Sequence, residues 1–184
     1  MKGKQAFYRS FLILALCTVG YFYSQSEHVY RPVDKEAITT FNEGVQVGQR
    51  AVPFSLTTLE GQVVDLSSLR GQPVILHFFA TWCPVCQDEM PSLVKLDKEY
   101  RQKGGQFLAI NLTNQESSIK DVRAFVQHYR AEFDPLLDTD GEVMETYQVI
   151  GIPTTLILDE EGTIVKRYNG VLTEEIIDEI MDIH

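Results

Sequence analysis

Hydrophobic and polar residues follow different periods along the chain, and these periods predict its elements. Residues 52–56 and 62–66 alternate apolar and polar positions on either side of Gly61, which predicts a β-hairpin. Residues 73–79 are almost wholly apolar, as is typical of a central strand buried on both faces. Residues 84–103 place apolar side chains on one helical side, which predicts a long helix.

The rest of the chain continues this succession of strands and helices. The predicted elements are a strand at 106–112, a helix at 117–129, a short strand at 136–137, a short helix at 142–147, an antiparallel hairpin of strands 154–158 and 163–168, and a last helix capped by Thr173. Strands that alternate with helices predict an α/β fold, in which a mixed central sheet is covered by helices on both faces.

The first 23 residues differ from the rest in composition. Lys2, Lys4 and Arg9 precede residues 10–23, which carry no charge and are mostly apolar. Counted from Ala6, with the side chain of Arg9 snorkelling to the interface, the segment reaches about eighteen residues, the low end of a bilayer span. Its basic flank predicts a cytoplasmic N-terminus. We predict an uncleaved single-pass anchor, with a cleaved signal peptide as the alternative. Either segment would place the body of the protein outside the cytoplasm.

The charge and composition of residues 24–184 are those of a soluble, acidic protein. We predict a polar tether at residues 24–46 and a folded domain at residues 47–184. The net charge of −10 combines a basic N-terminal segment with a strongly acidic remainder, which argues against binding to nucleic acid phosphates. A hydrophobic content of 44% is ordinary for a soluble domain, and three cysteines are too few for a disulfide scaffold.

Candidate chemistry lies where the apolar strand ends and the long helix begins. Cys83 and Cys86 form a CxxC motif at this junction, and a thiol at a helix N-terminus is favoured as the reactive thiolate. Pro84 suits the first helical turn, where its missing N–H costs nothing. Cys86 lies one turn further on and can resolve a mixed disulfide. A structural zinc site needs four ligands, and Cys17 and the scattered histidines do not supply them, so we expect no metal.

The motif also carries a family resemblance. Residues 79–86, Phe-Ala-Thr-Trp-Cys-Pro-Val-Cys, resemble the active-site signature of the thioredoxin superfamily. Pro91 matches the kink proline of that family's active-site helix, and residues 150–155 resemble its cis-proline loop. The opening at 47–54 and the extra segment at 136–147 are similar to the membrane-anchored TlpA/ResA branch of bacteria. The resemblance implies a thioredoxin-like fold with an N-terminal β-hairpin and a central insertion.

This resemblance implies roles for individual residues. Cys83 would be the exposed nucleophile and Cys86 the resolving thiol, with a redox-active disulfide between them. A cis Ile152–Pro153 bond would direct the backbone of Ile152 at an extended substrate strand. Trp82 would shield the site, and the residues implied to contact substrate are Trp82, Pro84 and Ile152. No organic cofactor is expected.

Two further residues are open to two interpretations each. Glu89 matches the acidic residue near the active-site pocket of ResA-like proteins, where it would exchange protons or contact substrate. By its helical position alone, it could equally be a solvated carboxylate. His77 stands where many thioredoxins bury an acid. It is either a neutral, hydrogen-bonded core histidine or a proton relay for Cys86.

The resemblance implies an extracytoplasmic thiol-disulfide oxidoreductase that reduces protein disulfides. The substrate would be the CxxCH of an apocytochrome c or a spore-envelope protein, and a membrane protein of the thiol-transfer type would supply electrons to a monomer. The dipeptide Pro84-Val85 replaces the Glu-Pro of ResA, which leaves the redox direction open. A DsbA-like disulfide oxidase is therefore the first alternative. The second alternative is a copper-binding chaperone that uses Cys83 and Cys86. A peroxidase is the third, because such enzymes have a threonine three residues before the reactive cysteine and Ala80 stands there before Cys83.

Overall fold

The computed structural model describes residues 16–18, 21 and 42–182 of the 184-residue chain. The chain divides between Phe41 and Asn42 into two units, and the fold discussed below belongs to the second. Apart from residues 16–18 and 21, the predicted anchor lies outside the described residues, as does most of the predicted tether. Within the described part of the chain, no helix is both long and apolar enough to cross a membrane.

The second unit contains the predicted succession of elements. Its strands are β1 (Glu43–Gly44), β2 (Arg50–Ala51), β3 (Ser55–Thr58), β4 (Val63–Asp65), β5 (Val74–Phe79), β6 (Gln106–Asn111), β7 (Leu136–Leu137), β8 (Thr154–Leu158) and β9 (Ile164–Asn169). Its α-helices are α1 (Pro84–Gln102), α2 (Ile119–Tyr129), α3 (Glu142–Thr146) and α4 (Glu174–Asp182). Two 3₁₀ helices, Leu66–Leu69 and Thr113–Gln115, are the remaining helices among residues 42–182.

Among residues 42–182, seven strands form one mixed sheet in the order β4-β3-β7-β6-β5-β8-β9. Strands β5, β6 and β7 are parallel and adjacent, so the right-handed crossovers place α1 and α2 on the same face. Helix α4 packs on this face too, while α3, the 3₁₀ helix Leu66–Leu69 and β1–β2 cover the other. The predicted mixed sheet with helices on both faces is confirmed.

Strand β5 lies inside this sheet between β6 and β8, and each of its six residues is buried. Alternation along the strand directs Ile75, His77 and Phe79 at the face covered by α1, and Leu76 and Phe78 at the other. At the end of the strand, Phe79 pairs with Asn111 of the parallel β6. The loops that follow β5 and β6 therefore leave the sheet side by side.

The N-terminal hairpin is confirmed, since β3 pairs antiparallel with β4 and Gly61 adopts a positive φ of 87° in the turn.

The predicted domain boundary needs a correction. Strand β1 pairs with β2 in a small parallel sheet, and Val45 is 7% exposed in the core. Residues 42–46, which we assigned to the tether, therefore belong to the fold. Neither β1 nor β2 has the pair of large apolar side chains that marked the equally short strand β7 at Leu136–Leu137, so the sequence did not indicate them.

Candidate active site

The two motif cysteines lie at the N-terminus of α1. Cys83 is the N-cap residue of this helix, with extended backbone angles, and its Sγ accepts a hydrogen bond of 3.2 Å from the Cys86 N–H. Pro84 occupies the first helical turn. A sulfur in this position faces the unpaired N–H groups and the positive end of the helix dipole, which stabilise a thiolate in the reduced protein.

Cys83 and Cys86 form a disulfide in this structure, with Cα atoms 5.3 Å apart. Cys86 is fully buried, and Cys83 is only 4% exposed. The expectation of an exposed Cys83 is therefore wrong for the oxidised protein. Its side chain turns toward the N–H of Cys86 and packs with the core cluster that includes Phe79 and Ala80.

Three residues around the disulfide are exposed. Pro84 and Val85 form the surface of the first turn of α1, and Trp82 is 51% exposed. The indole Nε1 of Trp82 donates a hydrogen bond of 3.0 Å to the carbonyl of Gln115. These apolar surfaces are thus presented beside the cysteines, where an approaching protein can contact them.

The cis-proline loop supplies a backbone edge. The Ile152–Pro153 peptide bond is cis, as predicted, and the Pro153 carbonyl accepts the N–H of Gly170 at 2.8 Å. Within the described residues, neither the N–H nor the carbonyl of Ile152 has a hydrogen-bond partner. A cleft of about 490 Å³ opens beside this loop, and Ile150 on its rim is 99% exposed. An extended peptide could pair with the free groups of Ile152.

Arg167 supports the same loop from strand β9. Its guanidinium donates hydrogen bonds of 2.9 Å and 3.0 Å to the carbonyls of Tyr147 and Gln148. Partial burial lowers the pKa of this guanidinium from its ordinary value. The chain between α3 and the cis-proline is therefore attached to the sheet edge by a charged side chain.

Glu89 is buried in the interior rather than solvated. The residue is 4% exposed, and its Oε2 accepts a hydrogen bond of 3.1 Å from the backbone N–H of Leu172. The solvated interpretation of this carboxylate is therefore wrong. Glu89 follows Cys86 by three residues in α1, a spacing that places both side chains on the same side of the helix.

His77 is the nearest polar neighbour of this carboxylate on strand β5. Its Nε2 lies 3.3 Å from Glu89 Oε1, within ion-pair range but without the alignment of a hydrogen bond. Its Nδ1 lies 3.0 Å from Thr155 Oγ1, and its ring stacks between Phe79 and Phe107. His77 is thus a hydrogen-bonded core histidine, as one of the two interpretations expected. It also touches the buried acid, which leaves a proton relay open.

Glu116 is a site residue that the sequence analysis did not identify. Its carboxylate accepts hydrogen bonds from the backbone and hydroxyl of Thr81 and from the side chain of Asn111. The order of the predicted parallel strands could have indicated Glu116. Adjacent parallel strands end at the same sheet edge, so a carboxylate shortly after β6 was a candidate neighbour of the motif after β5.

Comparison with known proteins identifies the family of this chain. Residues 47–167 match the family model described as the AhpC/TSA family. The chain belongs to this family. It is 39% identical over 171 residues to the thioredoxin-like protein YneN of Bacillus subtilis, covering 93% of this chain and 95% of YneN. It is also 32% identical over 183 residues to the thiol-disulfide oxidoreductase ResA of the same organism, covering 99% of this chain and 94% of ResA.

A solved structure agrees with these relatives. The crystal structure of StoA from Bacillus subtilis superposes with a TM-score of 0.63 at 32% identity, covering 71% of this chain and 96% of StoA. The predicted thioredoxin-like fold and the TlpA/ResA-like resemblance are therefore confirmed for this AhpC/TSA family member. Together with the paired cysteines, these relatives show that the chain is a thiol-disulfide oxidoreductase.

Proposed function

We propose that this oxidoreductase reduces protein disulfides outside the cytoplasm, through a mixed disulfide at Cys83. The observation that carries the proposal is the position of Cys83 Sγ at the start of the 19-residue helix α1, where the Cys86 N–H points at it. This position favours the thiolate, which is the attacking form of the sulfur.

The first step joins the protein to its substrate. The Cys83 thiolate attacks one sulfur of the substrate disulfide, so that a Cys83–substrate disulfide forms and the substrate S–S bond breaks. The departing substrate sulfur leaves as a thiolate and takes a proton from solvent. Trp82 and Pro84 would contact the substrate beside this bond, and the free N–H and carbonyl of Ile152 would pair with its backbone next to Pro153.

The second step releases the substrate. Cys86 loses its proton and attacks Cys83 Sγ, which forms the intramolecular disulfide and expels the second substrate thiolate. Two electrons have then passed from the protein dithiol to the substrate. Glu89 shares a helical side with Cys86 and contacts His77, so this buried pair is the proposed acceptor of the Cys86 proton.

The proposed partners follow from the family and from the N-terminal segment. A membrane protein of the thiol-transfer type would restore the dithiol, by the same exchange in the opposite direction. The proposed substrate is the oxidised CxxCH of an apocytochrome c, or an equivalent disulfide in a spore-envelope protein. The basic and apolar residues 1–23 support an export signal or anchor, which would place the domain on the outer side of the cell membrane.

The direction of electron flow is tested by the reduction potential of the Cys83–Cys86 pair. The full-length chain is equilibrated with thiol–disulfide buffers of defined ratio, and the fraction oxidised is read from alkylated mass. A value near or below that of thioredoxin, about −270 mV, supports a reductant. A value near that of DsbA, about −120 mV, overturns the direction and makes the protein an oxidase.

A further inference from the structure

The loop that carries Cys83 has few attachments of its own. Only residues 80–83 connect β5 to α1, and within this loop the Cys83 N–H reaches the Ala80 carbonyl at 3.3 Å. From α1, Gln87 Nε2 donates to the Thr81 carbonyl at 2.7 Å. The position of the nucleophilic sulfur therefore depends on contacts that the loop makes with other segments.

These other contacts come from the segment after β6. Glu116 Oε1 accepts the Thr81 N–H at 2.7 Å, and its Oε2 accepts the Thr81 hydroxyl. One residue earlier, the Gln115 carbonyl accepts the Trp82 indole at 3.0 Å. Residues 115 and 116 thus bind both of the residues that directly precede Cys83.

The segment is itself attached to the core of the domain. Glu116 Oε1 also accepts the side-chain amide of Asn111 at 2.8 Å, and Asn111 is fully buried at the end of β6. On the other side, the Asn114 N–H reaches the Asp138 carbonyl at 3.2 Å. The loop is therefore connected through Glu116 to the sheet and to the insertion around Asp138.

We propose that Glu116 is a positioning residue for the nucleophile, and that its carboxylate holds the Thr81–Trp82 segment so that Cys83 meets a substrate disulfide in line. This inference rests on the proposed function only for its kinetic consequence. In-line attack is sensitive to placement, and a displacement of about 1 Å can cost about 10²-fold in rate. A residue that fixes the loop therefore contributes to rate without touching the substrate.

The test compares Glu116→Ala with Glu116→Gln and with Glu179→Ala. A glutamine keeps the acceptor for Thr81 N–H and Asn111 and can donate to the Thr81 hydroxyl, so it should restore wild-type behaviour. Glu179 is a matched control, because its carboxylate also has two side-chain partners, Lys166 and Tyr168, at the surface between β9 and α4. Thr81→Val removes only the hydrogen bond from the Thr81 hydroxyl to Glu116. It replaces Glu116→Ala as the test variant if Glu116→Ala does not fold.

The first readout is acrylamide quenching of Trp82, the only tryptophan in the chain. Two kinetic readouts accompany it. One is the alkylation rate of reduced Cys83 in a Cys86→Ser background, followed by peptide mass, and the other is kcat/KM for a disulfide-bonded CxxCH peptide. We expect Glu116→Ala to raise quenching, slow alkylation and lower kcat/KM about tenfold or more, while Glu116→Gln and Glu179→Ala match wild type.

Two results would overturn the inference. One is quenching and alkylation in Glu116→Ala equal to those of Glu179→Ala. The other is a Glu116→Gln variant as impaired as Glu116→Ala, because charge rather than position would then be the cause. If the wild-type protein reduces no peptide disulfide, the proposed function fails by itself, and quenching and alkylation still decide the role of Glu116.

Discussion

His77 Nε2 and Glu89 Oε1 lie 3.3 Å apart in the interior, one on strand β5 and the other on helix α1. Both side chains are almost completely removed from solvent, and each has a second partner, Thr155 for the histidine and the Leu172 N–H for the acid. A carboxylate and an imidazole in contact inside the protein can take up a proton there without exposure to solvent, which is what the proposed deprotonation of Cys86 calls for.

The first prediction concerns pH. His77→Asn should alter the pH dependence of the exchange rate, because it removes the base that contacts Glu89. The measurement is the rate of substrate-thiol release between pH 5 and 9. His128→Asn is the control, since His128 is exposed on α2. An unaltered profile in His77→Asn would remove this histidine from the mechanism.

The second prediction concerns the coupling between the two residues. Each single change, His77→Asn or Glu89→Gln, should lower the free energy of unfolding by about 1–3 kcal/mol, because it removes one member of a buried pair of polar groups that lie within ion-pair range. The double variant should lose less than the sum, with an interaction energy of about 0.5–3 kcal/mol. Urea unfolding of the four oxidised proteins measures this cycle. If the losses of unfolding free energy were additive, the contact between His77 and Glu89 would contribute nothing to stability.

The third prediction separates the roles of the two cysteines. Cys86→Ser should abolish turnover and accumulate a covalent adduct with a disulfide-bonded peptide, because Cys83 can attack but nothing resolves the product. Cys83→Ser should form no adduct, because Cys86 is fully buried. Intact mass under non-reducing conditions distinguishes the two variants. An adduct on Cys86 would reverse the assignment.

The fourth prediction concerns Asp97, which is buried in α1 with its Oδ1 2.6 Å from Arg101 Nε. Burial raises the pKa of this carboxyl, and the bond to Arg101 offsets only part of the effect. The folded state therefore binds this proton more tightly than the unfolded state does. Its contribution to stability is complete below the unfolded pKa of 3.8 and is lost as pH rises through the folded pKa.

Asp97→Asn should accordingly be more stable than wild type at neutral pH, and this advantage should shrink as the pH falls toward 3. Thermal unfolding across this range measures the difference. Asp178→Asn, at an exposed position on α4, is the comparison. If Asp97→Asn were less stable at pH 7, the bond to Arg101 would outweigh the cost of burial.

Several features could be predicted from the sequence because they are local. The apolar run of β5, the period of α1 and the CxxC at their junction each depend on neighbours within a few residues, and the structure confirms them. Burial of Glu89 could not be predicted in this way. Its helical position identifies a side of α1, but its partner Leu172 lies 83 residues away along the chain.

The same limit explains the other differences. The burial of Cys83 depends on which way its sulfur turns at the helix start, and a motif does not specify that rotation. Glu116 reaches Thr81 across 35 positions, so its role emerges only when β5 and β6 pair in register. The cysteine pair and the cis-proline could therefore be predicted from the sequence, whereas the residues that hydrogen-bond the loop before Cys83 could not.

The bond from the Leu172 N–H to Glu89 has a mechanical consequence. Leu172 lies two residues after Gly170, which lines the cleft beside the cis-proline. Glu89 belongs to the helix that begins at the motif cysteines, so this bond joins that helix to the segment that leaves the cleft. Two sides of the active site that lie 83 residues apart along the chain must therefore move together, or this bond must break first.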